Sequence, residues 1–101
     1  MIKHIVCWKL KEQAESHLAI ENAFKIKSLL EALISKIPQI GKLEIGINEA
    51  SAPSTNWSLV LYSEFDSWED LQAYQSHPEH VKAGAFVKSV TELRSCVDYK
   101  I

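Results

Sequence analysis

Four side chains that can donate, accept or carry a proton near neutral pH lie close together in this chain. The segment from Asp66 to His80 reads DSWEDLQAYQSHPEH, and its last turn contains Tyr74, His77, Glu79 and His80. Imidazole changes its charge between about pH 5 and pH 8, so a histidine beside a hydroxyl or a carboxylate can act as a general acid or base. The spacing therefore predicts a proton-transfer site at the end of a short helix.

Pro78 separates the two histidines and ends the helix that Ser67 begins. Proline suits the first turn of a helix, so we expect His80 near the start of a second segment that continues to about Val90. A helix N-terminus disfavours the imidazolium form, which keeps His80 available as a neutral base. The alternative is that His80 only stabilises the helix break, by bonding a backbone carbonyl.

The spacing of His77 and His80 is one that can bind a metal ion. Such a site needs further ligands, and no second cluster in the sequence supplies them. No Gly-rich phosphate loop and no Ser–His–Asp motif is present. We therefore predict no metal site and no cofactor.

The hydrophobic periodicity predicts the elements that must position these groups. The ranges typical of strands are 3–10, 42–48, 57–65 and 93–100. Residues 15–37 fit a helix that Ser16 caps and Pro38 ends. Strand, helix, strand, strand, helix, strand is the order of the ferredoxin-like split βαβ arrangement (βαββαβ). This is an α+β fold in which helices cover one face of a four-stranded antiparallel sheet.

The first strand has two faces that are both partly apolar, and we place His4 on the helix-covered one. The other face of the sheet carries Ile5, Cys7, Val60 and Tyr62. An apolar surface of this kind on a small chain is typical of a protein interface. The simplest partner is a second copy, sheet against sheet, so we predict a symmetric homodimer.

Motifs along nearly the whole chain carry a family resemblance. They are I-K-H-I-V-x-x-K-L-K at the start, L-x-I-G-x-N in a strand, S-x-F-D-S-W-E-D-L-Q-A-Y-Q-x-H-P-E-H-V, and V-D-Y near the end. Together they resemble the stress-responsive A/B barrel domain family, often called Dabb. The resemblance implies one such domain over residues 1–101, with a ferredoxin-like fold that pairs into a dimeric α+β barrel.

The resemblance does not imply a single activity. One branch of the family is similar to polyketide cyclases that close a ring by an intramolecular aldol reaction. In that branch the acid–base histidine matches His80, and supporting positions match His4 and Tyr74. This chain departs from the branch at Leu59, where the branch has a histidine, and at Leu30, where it has a tyrosine.

Two hypotheses about function follow. In the first, a small apolar pocket between sheet and helices binds a small aromatic or keto compound, with His80, His4 and Tyr74 as the catalytic groups. The residues expected to contact this ligand are Trp8, Leu59, Trp68 and His77. In the second, the protein is a non-catalytic dimeric module, the tryptophans belong to the core, and His4 is a buried histidine satisfied by one hydrogen bond.

Composition narrows the classes of partner and the location. The 101 residues carry a formal net charge of −2, and no cluster of Lys or Arg lies on one face, which argues against nucleic acid. The apolar segments are too short to span a bilayer, so we expect no membrane partner. Cys7 and Cys96 lack CxxC spacing and are interpreted as buried free thiols. Free thiols are typical of a reducing compartment, so we expect a cytoplasmic protein.

Overall fold

One four-stranded antiparallel sheet with helices on one face makes up most of the structure, a computed structural model that describes Met1–Ile101. The elements in chain order are β1 (Ile2–Leu10), β2 (Gln13–Ala14), β3 (His17–Leu18), α1 (Ala19–Glu31), a 3₁₀ turn (Ala32–Ser35), β4 (Lys42–Ile47), β5 (Leu59–Phe65), α2 (Trp68–Ser76), α3 (Pro78–Val90) and β6 (Thr91–Lys100). The strand order is β4-β5-β1-β6. The predicted ferredoxin-like α+β fold is confirmed.

Strand β1 is an inner strand of the sheet, because it pairs with both β5 and β6. Its even-numbered residues are buried and its odd-numbered residues are only half-buried, which is the period of two that a strand with one covered face requires. The core residues that helices contribute against this face include Ile26, Leu30, Leu33, Leu71, Tyr74, Val87 and Val90. His4 lies on the helix-covered face, as predicted.

The opposite face of the sheet is apolar and uncovered. Ile5, Cys7, Val60 and Tyr62 are half-exposed there. The register pairs Ile5 with Val97, so β6 extends the same surface, and Val97 is 61% exposed. The predicted second face therefore exists and is available to a partner.

The first helix begins later than the sequence predicted. Ser16 does not cap it, because residues 13–18 form a small hairpin, β2 and β3, instead of a first helical turn. Glu15 and Ser16 form its turn with φ of 50° and 64°, and positive φ at both central residues is typical of a tight type I′ turn. The helix starts at Ala19, where the Glu21 carboxylate accepts a 2.9 Å hydrogen bond from the Leu18 N–H.

Two further boundaries differ from the prediction. Helix α1 ends at Glu31 and tightens into the 3₁₀ turn, so Ile37 lies beyond it. Strand β5 starts at Leu59, which leaves Trp57 outside the strand and 39% exposed. None of the helices combines the length and the apolar character needed to cross a bilayer.

The predicted break between the last two helices is confirmed. The Ser67 hydroxyl caps α2 by accepting a 3.1 Å hydrogen bond from the Asp70 N–H. His77 is extended (φ −61°, ψ 135°) and lies between the two helices, with Pro78 as the first residue of α3. Its Nδ1 accepts a 3.1 Å hydrogen bond from the Glu79 N–H, so this side chain caps α3.

The two cysteines lie on paired strands but cannot form a disulfide with each other. Cys96 is opposite Val6, and Cys7 is opposite Ser95, so the two sulfur atoms point to different faces of the sheet. Both are free thiols. Cys96 is exposed, contrary to the prediction that it is buried, because the helices stop short of the edge strand β6.

We expect two thiols per chain when the unreduced, unfolded protein is labelled with a maleimide and weighed by mass spectrometry. In the native protein Cys96 is expected to react first, because Cys7 lies on the apolar sheet face that a partner would cover. The Cys7→Ser variant identifies the site that reacts early. A mass that shows no free thiol, or early labelling of Cys7, would contradict this arrangement.

Candidate functional site

A cavity of about 430 Å³ lies between the sheet and the helices, on the side of α3. It is lined by His4, Val6, Trp8, Leu30, Leu61, Tyr74, His80, Gly84, Val87, Lys88, Thr91, Glu92 and Arg94. Lys88, Glu92 and Arg94 are exposed and mark its opening, beside the uncovered edge strand. The volume lies within the usual range of small-molecule sites, about 300–1,000 Å³.

Tyr74 lines this cavity and carries a buried hydroxyl. Its side chain is fully buried, with its ring 4.9 Å from the ring of Phe65 and 4.5 Å from that of His80. The hydroxyl has no hydrogen-bond partner in the protein. Burial raises the pKa of Tyr74 to about 12, so the phenol keeps its proton at neutral pH. An unsatisfied buried hydroxyl costs about 1–3 kcal/mol, so an acceptor supplied by a ligand would stabilise the site.

His80 is held in one tautomer by the protein backbone. Its Nδ1 lies 3.0 Å from the carbonyl oxygen of Gln75, and because a carbonyl only accepts, Nδ1 carries the proton. Nε2 therefore keeps its lone pair and has no protein partner. Desolvation lowers the pKa of His80; the bond to Gln75 opposes this, and the charges of His4, Arg94 and His77 add to the lowering. The ring is thus neutral near pH 7 and able to accept a proton.

His4 is paired with a carboxylate from the edge strand. It is 2% exposed, and its Nδ1 donates a hydrogen bond to Asp98 on β6. This bond holds the ring in place and leaves Nε2 without a partner in the protein. The ring also packs edge-on to Tyr74, with centroids 6.3 Å apart. His4, Tyr74 and His80 therefore form a continuous row of side chains along the cavity, and Asp98 holds His4 from the edge strand.

The cavity brings together some of the predicted site residues and leaves others outside. His4, Tyr74 and His80 line it together with Trp8. Leu59, Trp68 and His77 do not. Leu59 is core, with Leu61 of the same strand in the cavity wall. Trp68 starts α2 and is 45% exposed, whereas His77 uses its Nδ1 as a helix cap.

The sequence analysis did not predict the charged residues at the opening of the cavity. Lys88 and Arg94 point to the cavity and form no salt bridge. The available signal was the alternation of Arg94, Cys96 and Asp98 in the last strand, which places three polar side chains on one face. The register shows that this is the face shared with His4 and Trp8.

Comparison with known proteins identifies relatives over the whole fold. The family model described as Stress responsive A/B Barrel Domain matches residues 2–101. A stress-response A/B barrel domain-containing protein of Arabidopsis thaliana is 31% identical over 84 residues, which are 81% of this chain. The chain spans 29% of the length of that relative.

Two solved structures with the same fold are described as dimeric. A dimeric protein of unknown function with a ferredoxin-like fold from Bacteroides fragilis is 39% identical, with a TM-score of 0.82 over 99% of this chain and 95% of that one. A dimeric ferredoxin-like protein from Thermobifida fusca is 21% identical, with a TM-score of 0.84 over 99% and 90% of the two chains. At that identity the second match shows the fold alone.

Proposed function

Because the chain belongs to the stress-responsive A/B barrel domain family, we propose that it is a homodimeric α+β barrel that binds a small aromatic or keto compound beside His80 and transfers a proton to or from it. The apolar sheet face and the dimeric relatives support the homodimer. The two free thiols support a cytoplasmic location. We expect neither nucleic acid nor membrane as a partner.

The observation that carries the proposal is that Tyr74 and His80 line one cavity with their rings 4.5 Å apart, and that the buried Tyr74 hydroxyl has no partner in the protein. A ligand carbonyl oxygen would accept the Tyr74 hydrogen bond and satisfy the buried donor. Nε2 of His80 would then remove a proton from the carbon next to that carbonyl. The electron pair of the broken C–H bond moves onto the carbonyl oxygen, where the Tyr74 donor stabilises the enolate.

The surroundings restrict the ligand further. Val6, Trp8, Leu30 and Leu61 give the inner wall an apolar character, which suits an aromatic ring or an alkyl chain. Where the similar cyclases have a tyrosine, Leu30 offers no polar group, so the proton transfer proposed here depends on His80 and Tyr74. An enolate from one keto group can attack a second one in the same molecule, and such a ring closure is the reaction that fits this site best.

A second candidate function is a non-catalytic dimeric binding module. The hydrogen bonds of His80 to Gln75 and of His4 to Asp98 favour it, because each gives a histidine a structural role. These bonds use only the Nδ1 atoms. The free Nε2 atoms and the Tyr74 hydroxyl remain without a structural purpose, and on that ground we favour the first function.

The Tyr74→Phe variant separates ligand binding from folding. It keeps the buried ring and removes only the unpartnered hydroxyl, so we expect a melting temperature equal to or above that of the wild type. The affinity for the best binder in a panel of phenols and β-diketones, found by thermal shift, is expected to fall at least about tenfold, the loss of roughly 1.4 kcal/mol.

The Gly84→Leu variant tests whether the ligand binds in the cavity itself. A Cβ at Gly84 meets no atom within 4 Å and Gly84 lines the cavity, so the larger side chain enters open space and occupies part of the cavity. Leucine forms helices better than glycine by nearly 1 kcal/mol, so we expect higher stability and no binding. Binding that survives both substitutions, or a panel without any binder at millimolar concentration, would overturn the proposed function.

A further inference from the structure

We propose that His4, Cys96 and Asp98 form a binding site for a transition-metal ion of the Zn²⁺ type. The three side chains come from neighbouring strands and share one face, since His4 is opposite Asp98 and Val6 is opposite Cys96. The Cys96 sulfur lies 3.6 Å from Nδ1 of His4 and 3.6 Å from the Asp98 carboxylate. All three ligand atoms lie within 4.8 Å of one another.

These distances are close to those of a tetrahedral zinc site. Zinc–nitrogen and zinc–sulfur bonds of about 2.0 and 2.3 Å place the nitrogen and the sulfur about 3.5 Å apart at a tetrahedral angle. Both sulfur distances already match that edge. Only the His4–Asp98 contact must open, from a hydrogen bond to about 3.3 Å, as the metal replaces the Nδ1 proton.

The chemistry of the three groups selects the class of metal. An imidazole nitrogen, a thiolate and a carboxylate suit Zn²⁺ and its neighbours in the first transition row. Mg²⁺ and Ca²⁺ prefer oxygen ligands alone. His4 is buried and fixed, whereas Cys96 and Asp98 are exposed, which gives the ion a route in and leaves a fourth position for water.

The spacing in the sequence points only to His77 and His80 as a metal pair, since residues 4, 96 and 98 meet only through the β1–β6 register.

The proposed metal site goes beyond the proposed function, because metal binding does not require a ligand in the cavity. His4 belongs to both sites: it lines the cavity and it is a proposed metal ligand. A bound ion would therefore lie one side chain away from Tyr74 and His80. It would hold the His4 ring in place of the Asp98 hydrogen bond.

Titration with Co²⁺ tests the site, because its absorption reports a thiolate ligand directly. The untagged full chain is freed of metal with a chelator, kept reduced, and titrated with Co²⁺ alone. We expect a thiolate-to-cobalt charge-transfer band that saturates at one ion per chain, with visible bands typical of tetrahedral cobalt, and Zn²⁺ should displace both. Cys7→Ser, on the opposite face of the sheet, should give the same spectrum.

The variants that change the ligands complete the test. Cys96→Ser should abolish the charge-transfer band, and Asp98→Asn should weaken cobalt binding at least about tenfold. Both positions are exposed, so both variants are expected to fold like the wild type. Absence of the band in the wild type, its persistence in Cys96→Ser, or its loss in Cys7→Ser would each overturn the proposal.

Discussion

The His80→Ala variant is expected to lose turnover by about 10²–10⁴-fold, the usual contribution of a general base, while the fold and the dimer remain. In a binding assay, the corresponding result is a clear loss of affinity for the enol or phenol ligands of the panel. The reason is that Nε2 of His80 is the neutral acceptor, on a ring that packs 4.5 Å from the ring of Tyr74. The loss of the bond to Gln75 should cost only about 1 kcal/mol of stability.

The His77→Ala variant is the matched control, because His77 lies on the other side of Pro78 and outside the cavity. It removes a helix cap, so we expect a stability loss of about 1 kcal/mol and unchanged ligand affinity. The two variants should therefore lose similar stability, and only His80→Ala should lose ligand binding. If His80→Ala lowered only the melting temperature and left binding untouched, His80 would be structural and the proposed chemistry would be wrong.

The pH dependence of stability provides a second measurement on the same variant. The pKa of His80 is lowered in the folded protein, chiefly by desolvation, so the unfolded chain binds this proton more readily. Stability therefore falls as the pH drops through the ordinary histidine value of 6.5 toward the lower folded value. His80→Ala should lose this part of the decline between about pH 7 and pH 5 in urea titrations. Identical slopes for both proteins would contradict the lowered pKa.

The long elements were predictable because their residues repeat with the period of the structure they form. The alternation in β1 fixed which side chains face the helices, and Pro78 fixed the helix break. The hairpin at residues 13–18 was not predictable in the same way. Its turn residues, Glu15 and Ser16, rarely adopt positive φ, and the usual Asn-Gly signal is absent.

Only those site residues that are close together in sequence were predictable. Tyr74 and His80 are close in sequence, and their helix break marks them. The partners of these residues depend on tertiary packing. The register of β6 brings Asp98 to His4 and Arg94 to the cavity, and the packing of α3 places Gly84 there. Trp68 and His77 lie in the same segment of sequence, yet neither reaches the cavity. Trp68 is exposed to solvent, and the His77 side chain bonds the backbone at the start of α3.

The Val60→Asp variant is expected to convert the dimer into a monomer at micromolar concentration. Val60 lies on the apolar sheet face, in the inner strand β5, between Cys7 and Gly46, neither of which offers a charge. In a single chain the new carboxylate is hydrated, so the fold should remain. In a sheet-to-sheet dimer it is buried unpaired in both copies, which costs several kcal/mol and weakens association at least about 100-fold.

Sedimentation velocity of the wild type and two variants tests this expectation. Val81→Asp adds the same charge on α3, where the native side chain is 58% exposed, and should leave the dimer unchanged. Val60→Thr keeps the size without the charge and should weaken the dimer only slightly. A wild type that sediments as an 11.4 kDa monomer would remove the homodimer from the proposal. A dimer that survives Val60→Asp would instead place the interface away from this sheet face, and the apolar surface of Ile5, Cys7, Val60 and Tyr62 would then need another partner.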